Sequence, residues 1–149
     1  MSAIIDDFLY LGSLADACTP ELLNKLQITH LVNLSITRII PDESFELLHI
    51  PLRDTLDENI MIYFQQVNQF IEKCRQRKDG RCLIFCKHGR SRSAAIAIAY
   101  LIAHHGHSLS SAYIYLSKIR SSISPNRNYL KQLDKYSSQC EQVHCPSFY

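Results

Sequence analysis

A short strand, a compact polar loop and an apolar helix follow one another directly, and this succession most constrains the fold of the chain. Residues 82–85 are hydrophobic and favour a strand, whereas residues 94–103 favour a helix and are nearly free of polar groups. Between them lies the segment Cys86-Lys87-His88-Gly89-Arg90-Ser91-Arg92-Ser93. A loop of this size at a helix N-terminus points several backbone N–H groups at one spot, so we expect an anion-binding site there.

Two side chains of this loop suit the chemistry of a phosphate group. The thiol of Cys86 would lose its proton readily at such a site, because the thiolate is the anion that the site stabilises. The guanidinium of Arg92 is a planar two-pronged donor that matches two phosphate oxygens. A merely buried strand-end thiol is the alternative interpretation of Cys86. The strand–loop–helix context favours the functional one.

Length and composition predict one soluble domain spanning residues 1–149. Hydrophobic residues make up 46% and charged residues 20% of the chain, and its net charge of +2 does not by itself imply binding to nucleic acid or membranes. No apolar run is long enough to span a bilayer. The six cysteines show no disulfide-framework spacing and follow no signal peptide. We therefore expect reduced thiols and a cytoplasmic, or also nuclear, location.

The periodicity of apolar residues predicts a sheet with helices on both faces, an α/β fold. Strands are expected at residues 8–11, 30–34, 47–51 and 82–85. Helices are expected after Thr19-Pro20, over residues 60–74, over 94–103, from Ser108 to about Arg120, and from Ser124-Pro125 onwards. Residues 139–149 are expected to form a flexible tail.

Several segments together resemble the dual-specificity branch of the cysteine-dependent protein phosphatases. Its signature, His-Cys-x5-Arg-Ser/Thr, matches Cys86, Arg92 and Ser93. Residues 8–13 and 28–34 resemble its first two strands, and Ser124-Pro125-Asn126 resembles the start of its last helix. The resemblance covers residues 4–140 and is strongest to small atypical members that consist of the catalytic domain alone and carry a Cys-Lys-x-Gly-Arg-Ser-Arg-Ser loop. It implies a mixed, twisted sheet of four to five strands with helices on both faces.

The resemblance also implies roles for single residues. Cys86 would be the nucleophile that forms a phosphocysteine, and Asp54, 32 residues earlier, the general acid and then the base. Asp57 is the alternative acid, although it could instead cap a helix near Glu58. Ser93 would donate to the thiolate or cap the following helix, and the two roles are compatible. The phosphate-binding residues would be Lys87, His88, Gly89, Arg90, Ser91 and Arg92.

One position departs from the family pattern. Phe85 stands where the signature has His, and that imidazole belongs in relatives to the hydrogen-bond network that lowers the pKa of the thiol. Because Phe85 cannot donate a hydrogen bond, we expect a working enzyme with reduced activity.

The substrates implied are phosphoproteins carrying phosphotyrosine, phosphoserine or phosphothreonine, because no segment resembles the loop that deepens the pocket of tyrosine-only enzymes. An inositol-lipid phosphatase is an alternative, since such enzymes also carry basic residues at the positions of Lys87 and Arg90. They usually place Thr-Gly after the arginine, however, where this chain has Ser93-Ala94. A phospho-binding module with weak or lost catalysis is a second alternative.

The proposed chemistry needs no cofactor and no metal, because Arg92 and the loop amides supply the electrostatic stabilisation. Phosphate, sulfate or vanadate should bind in the loop, and we expect a monomer. A metal site built from Cys140, His144 and Cys145 is a weak alternative, since a fourth ligand is not evident.

Overall fold

A five-stranded mixed sheet forms the centre of the computed structural model, which describes residues 1–144. The strands are β1 (Ser2–Ile5), β2 (Leu9–Ser13), β3 (His30–Asn33), β4 (Glu46–His49) and β5 (Cys82–Cys86). Their spatial order is β1-β2-β5-β3-β4, with β1 antiparallel to β2 and the other neighbours parallel. The helices are α1 (Leu14–Ala17), α2 (Pro20–Lys25), α3 (Phe64–Gln76), α4 (Arg92–His105), α5 (Leu109–Ile119) and α6 (Arg127–His144).

The central strand β5 is buried on both faces, as expected for a parallel strand covered by helices on both sides. Its side chains alternate between two cores. Cys82, Ile84 and Cys86 contribute to the larger core, formed with α3, α4, α5 and α6. Leu83 and Phe85 contribute to the smaller core, formed with α1 and α2. Cys86 is the last residue of β5 and so lies at the carboxyl edge of the parallel strands. Ligands of α/β folds usually bind at this edge.

The apolar helix α4 packs in the larger core and is buried along most of its length. It ends at Gly106, which adopts a left-handed conformation with φ of 68°. Within residues 1–144, no helix combines the length and hydropathy needed to cross a membrane. The expected α/β fold with a central mixed sheet and helices on both faces is confirmed.

Several boundaries differ from those expected from the sequence. The strand β1 was not predicted, because residues 2–5 form it by antiparallel pairing with β2 and with a bulge between Ala3 and Ile5. The helix α6 begins at Arg127 rather than at Ser124-Pro125, and residues 139–144 of the expected tail are helical. The remainder of that segment, residues 145–149, lies outside the described residues.

Candidate active site

A cleft of about 290 Å³ opens at the carboxyl end of β5 and the N-terminus of α4. It is lined by Asp54, Cys86, His88, Arg90, Ser91, Arg92 and Ser124. Six of these residues were predicted for the site, and Ser124 was not. Lys87 is exposed and does not line the cleft. Gly89, which is also not a lining residue, turns the loop with φ of 66°.

The thiol of Cys86 is buried at the end of β5, with 2% of the residue exposed. Its Sγ lies 3.1 Å from Oγ of Ser93. Burial by itself raises the pKa of the Cys86 thiol. The Ser93 hydroxyl and backbone N–H, the charge of Arg92 and the backbone N–H of Arg90 outweigh burial and hold this pKa below its ordinary value. These contacts favour the thiolate, which is the nucleophilic form of cysteine.

The guanidinium of Arg92 is buried beside the thiol and only partly satisfied. Nη1 donates to the carbonyl oxygen of Leu52 at 3.0 Å, whereas Nε is buried and has no hydrogen-bond partner among residues 1–144. A buried N–H without an acceptor costs free energy, and a bound ligand is one source of the missing acceptor. An oxygen of a phosphate group would satisfy the Nε of Arg92.

The N-terminus of α4 is uncapped by side chains, which leaves its first amide groups available to an anion. Ser91 is the N-cap residue, but its hydroxyl makes no capping hydrogen bond. Ser93 already lies in the first turn, so the capping role considered for it is wrong. Its hydroxyl contacts the sulfur of Cys86 instead. The positive end of the helix dipole is therefore directed at the cleft.

The carboxylate of Asp54 is held at the edge of the cleft by two donors. The hydroxyl of Ser91 donates to Oδ1 of Asp54 at 2.6 Å, and Nδ2 of Asn126 donates to the same oxygen at 2.9 Å. Both donors use Oδ1, so Oδ2 is the oxygen that can carry and release a proton.

The alternative acid, Asp57, is exposed and does not line the cleft. The hydroxyl of Thr55 and a backbone N–H lower the pKa of Asp57, so the ionised form of this carboxyl is favoured. The geometry therefore favours Asp54 for the role of the acid.

Helix α6 and the residues before it hold the loop that carries Asp54, and sequence reasoning missed this contribution. Asn126 accepts from the backbone N–H of Tyr129, and its own backbone N–H donates to the hydroxyl of Ser91 at 3.0 Å. The hydroxyl of Tyr129 donates to the carbonyl of Arg53, next to Asp54, and burial raises the pKa of Tyr129. The sequence of Ser124-Pro125-Asn126 predicts the start of a helix, but no pattern in the neighbouring residues indicates that Asn126 contacts Asp54.

The weak metal-site alternative gains no support from the described part of the chain. Among the side chains of residues 1–143, no group of three or more His, Cys, Asp or Glu is placed to hold a metal ion. Of the three residues considered, the side chain of His144 and the whole of Cys145 lie outside what the structure describes.

The family model for the catalytic domain of dual-specificity phosphatases matches residues 9–139. The chain belongs to this family. The tyrosine-protein phosphatase vhp-1 of Caenorhabditis elegans is 36% identical over 95% of this chain. A probable rhodanese domain-containing dual-specificity phosphatase of Dictyostelium discoideum is 39% identical over 91%. The chain spans only 22% and 28% of the lengths of these two relatives.

Human DUSP28 has the same fold over nearly the whole length of this chain. Its crystal structure is 30% identical and superposes with a TM-score of 0.89, covering 96% of this chain and 99% of that chain. The likeness therefore extends to a crystallised chain of similar length, whereas the two relatives above contain the matching segment within a much longer chain.

Proposed function

We propose that this protein hydrolyses phosphate monoesters on phosphoproteins through a phosphocysteine intermediate at Cys86. The observation that carries the proposal is the pairing of two groups in one cleft: a thiol whose environment favours the thiolate, and the buried, unpartnered Nε of Arg92. The first group is a nucleophile and the second is a vacant donor for a phosphoryl oxygen. Membership of the dual-specificity phosphatase family supports the same function.

The first chemical step forms the phosphocysteine. The sulfur of Cys86 attacks phosphorus in line with the leaving oxygen, so a bond between sulfur and phosphorus forms as the phosphorus–oxygen ester bond breaks. The loop N–H groups and Arg92 stabilise the charge on the equatorial oxygens. Oδ2 of Asp54 gives its proton to the leaving alcohol or phenol.

The second step releases phosphate from the enzyme. Asp54, now ionised, accepts a proton from a water molecule that attacks phosphorus, and the bond between phosphorus and the Cys86 sulfur breaks. The hydroxyl of Ser93, 3.1 Å from that sulfur, donates to the departing thiolate and stabilises it. The thiol–hydroxyl contact therefore assists both steps.

The substrates that we propose are proteins carrying phosphotyrosine, phosphoserine or phosphothreonine. The named phosphatases among its relatives support this class. The thiols of Cys18, Cys74, Cys82 and Cys86 are reduced, which supports a role in the reducing cytoplasm or nucleus.

We also propose that turnover is lower than in relatives that carry histidine before the nucleophile. Phe85 is fully buried in the smaller core, on the opposite face of β5 from Cys86. It can donate no hydrogen bond to the loop. The stabilisation of the thiolate then comes chiefly from Ser93, Arg92 and the loop amides.

The test compares hydrolysis by wild type, Cys86→Ser and the matched control Cys18→Ser, whose thiol is exposed and far along the chain from the loop. The substrates are p-nitrophenyl phosphate, phosphotyrosine and phosphothreonine peptides, and a phosphoinositide. We expect Cys86→Ser to lose essentially all activity, Cys18→Ser to keep it, and acid quenching to trap a phosphocysteine in wild type. Phosphoinositide turnover well above peptide turnover would favour the lipid phosphatase. Phosphopeptide binding without turnover would favour the binding module.

A further inference from the structure

The carbonyl groups of the phosphate-binding loop are held from outside by donors on three separate segments. The backbone N–H of Leu14 donates to the carbonyl of Lys87 at 3.4 Å, and the backbone N–H of Ser124 donates to that of Arg90 at 2.8 Å. The third donor is a side chain, the guanidinium of Arg120. Its Nε donates to the carbonyl of Gly89 at 2.9 Å and its Nη2 to that of His88 at 3.4 Å.

The direction of these carbonyls fixes the direction of the loop N–H groups. In a trans peptide unit the C=O and the following N–H point in opposite directions. Holding the carbonyl of Gly89 on the outside therefore turns the N–H of Arg90 inwards. The backbone N–H of Arg90 is one of the groups that donate to the sulfur of Cys86. One peptide unit thus connects Arg120 to the nucleophile.

The position of Arg120 in the fold allows this contact. It follows the last residue of α5 in an extended conformation, so the chain leaves the helix there and the side chain reaches the loop. Nη1 donates to the hydroxyl of Ser2 on β1 at 3.2 Å, which fixes the guanidinium from the other side. Within residues 1–144, no carboxylate forms an ion pair with Arg120.

We propose that Arg120 is a positioning residue for catalysis: it orients and polarises the peptide unit between Gly89 and Arg90, so that the Arg90 N–H stabilises the Cys86 thiolate and the bound phosphoryl group. A cation hydrogen-bonded to a carbonyl draws electron density from the peptide and makes its N–H a stronger donor. The inference rests on the proposed phosphatase function. Arg120 does not line the cleft and acts only through the loop.

Other charged or titratable groups also lie around the Cys86 sulfur, and they remain unchanged in the test. They are Arg92 on α4, Asp54 on its loop, Tyr129 on α6, and His88 and Arg90 on the loop itself. A shift in the titration of Cys86 in an Arg120 variant therefore reports the loss of the Arg120 contacts.

The experiment measures the pH dependence of Cys86 alkylation by iodoacetamide and the affinity for vanadate by calorimetry, in wild type, Arg120→Met and Arg120→Lys. The matched control is Arg81→Met, since the guanidinium of Arg81 also donates to a carbonyl, that of Leu26 at 3.3 Å, at the opposite end of β5. We expect Arg120→Met to move the alkylation midpoint to higher pH and to weaken vanadate binding about tenfold, roughly the loss of one charge-assisted hydrogen bond. The control should change neither.

The lysine variant separates orientation from charge. Lysine keeps the positive charge but cannot donate to two carbonyls and the Ser2 hydroxyl at once. We therefore expect Arg120→Lys to recover less than half of the change in alkylation midpoint and less than half of the lost vanadate affinity. Full restoration by lysine, an unchanged midpoint in Arg120→Met, or an equal shift in Arg81→Met would each overturn the inference. If Arg120→Met does not fold, the alkylation midpoint of Arg120→Lys is compared with that of wild type. A midpoint at higher pH supports the inference, and an unchanged midpoint overturns it. Neither readout needs turnover, so failure of the phosphatase function leaves this test intact.

Discussion

Nη1 of Arg92 donates to the carbonyl oxygen of Leu52 at 3.0 Å, which joins the first residue of α4 to the loop that carries Asp54 two residues later. The hydrogen bond from Ser91 to Asp54, at 2.6 Å, makes a second connection between the same two segments. The proposed nucleophile, Cys86, and the proposed acid, Asp54, come from different parts of the chain. These two contacts hold the loop of residues 86–92 and the segment that carries Asp54 together.

Arg92→Lys should abolish most of the activity although it keeps the positive charge. Lysine cannot bind two phosphoryl oxygens in a plane, and it would lose the contact with Leu52 or the contact with substrate. We expect kcat/KM for p-nitrophenyl phosphate to fall about 10²–10³-fold, the loss typical of removing a transition-state donor. The control Arg75→Lys changes an exposed ion pair with Glu72 and should keep activity. Retention of a tenth of the activity in Arg92→Lys would contradict the role assigned to Arg92.

Ser93→Ala should move the acid limb of the pH–rate profile to higher pH. The thiolate is the active form, and the Ser93 hydroxyl helps to hold the pKa of Cys86 below its ordinary value. Removing the hydroxyl raises that pKa, so activity on the acid side of the profile is lost first, by about tenfold. Ser93→Thr keeps the hydroxyl and serves as the control. Superimposable profiles of wild type and Ser93→Ala would show that the hydroxyl does not act on the thiolate.

Asp54→Asn and Asp57→Asn should separate the two candidate acids. Asp54 is held in the cleft by Ser91 and Asn126, whereas Asp57 lies outside it. We expect Asp54→Asn to reduce kcat about 10²–10³-fold on phenyl phosphate and much less on p-nitrophenyl phosphate, whose leaving group needs little protonation. Asp57→Asn should affect neither. Equal losses on the two substrates in Asp54→Asn would argue against proton transfer by this residue.

Gly89→Ala should damage both stability and activity, and Gly106→Ala provides a matched control. Both glycines have positive φ, 66° and 68°, so alanine costs about 1–2 kcal/mol of backbone strain at either position. A Cβ at Gly89 would also come within 2.6 Å of Nη2 of Arg120 and of the carbonyl oxygen of Gly12, whereas at Gly106 it would meet nothing within 4 Å. Thermal unfolding and kcat/KM should show the larger loss for Gly89→Ala. Equal losses in the two variants would show that the loop accommodates the added Cβ without a further loss of stability or activity.

Phe85→His should raise turnover at the expense of stability. An imidazole at this position could donate towards the loop, which would lower the pKa of Cys86 further and move the acid limb to lower pH. The same ring would replace an apolar group in the smaller core beside Tyr10 and Leu83, at a cost of about 1–3 kcal/mol in the free energy of unfolding. The control Phe85→Leu offers no donor and should leave the pH profile in place. An unchanged profile in Phe85→His would assign Phe85 a packing role alone.

Sequence patterns predicted those elements whose interactions are local or whose burial is complete. The strand β5, the apolar helix α4 and the N-cap of α5 at Ser108 follow from composition and spacing, and the structure places them as expected. The strand β1 was missed, because its stability comes from pairing with β2 and from contacts such as the hydrogen bond from the Tyr115 hydroxyl to the Ile4 carbonyl. Such partners are distant in sequence and leave no local pattern.

The sequence by itself determined which residues form the proposed phosphate-binding loop, because Cys86, Arg92 and Ser93 lie within one segment whose geometry follows from the strand before it and the helix after it. Only the tertiary structure decided which distant side chains contact this loop and the carboxylate of Asp54. Asn126 reaches Asp54 across 72 positions and Arg120 reaches Gly89 across 31. The physical reason is that backbone geometry acts over a few residues, whereas the orientation of a carboxylate or a peptide dipole depends on whichever side chains the packed fold brings beside it.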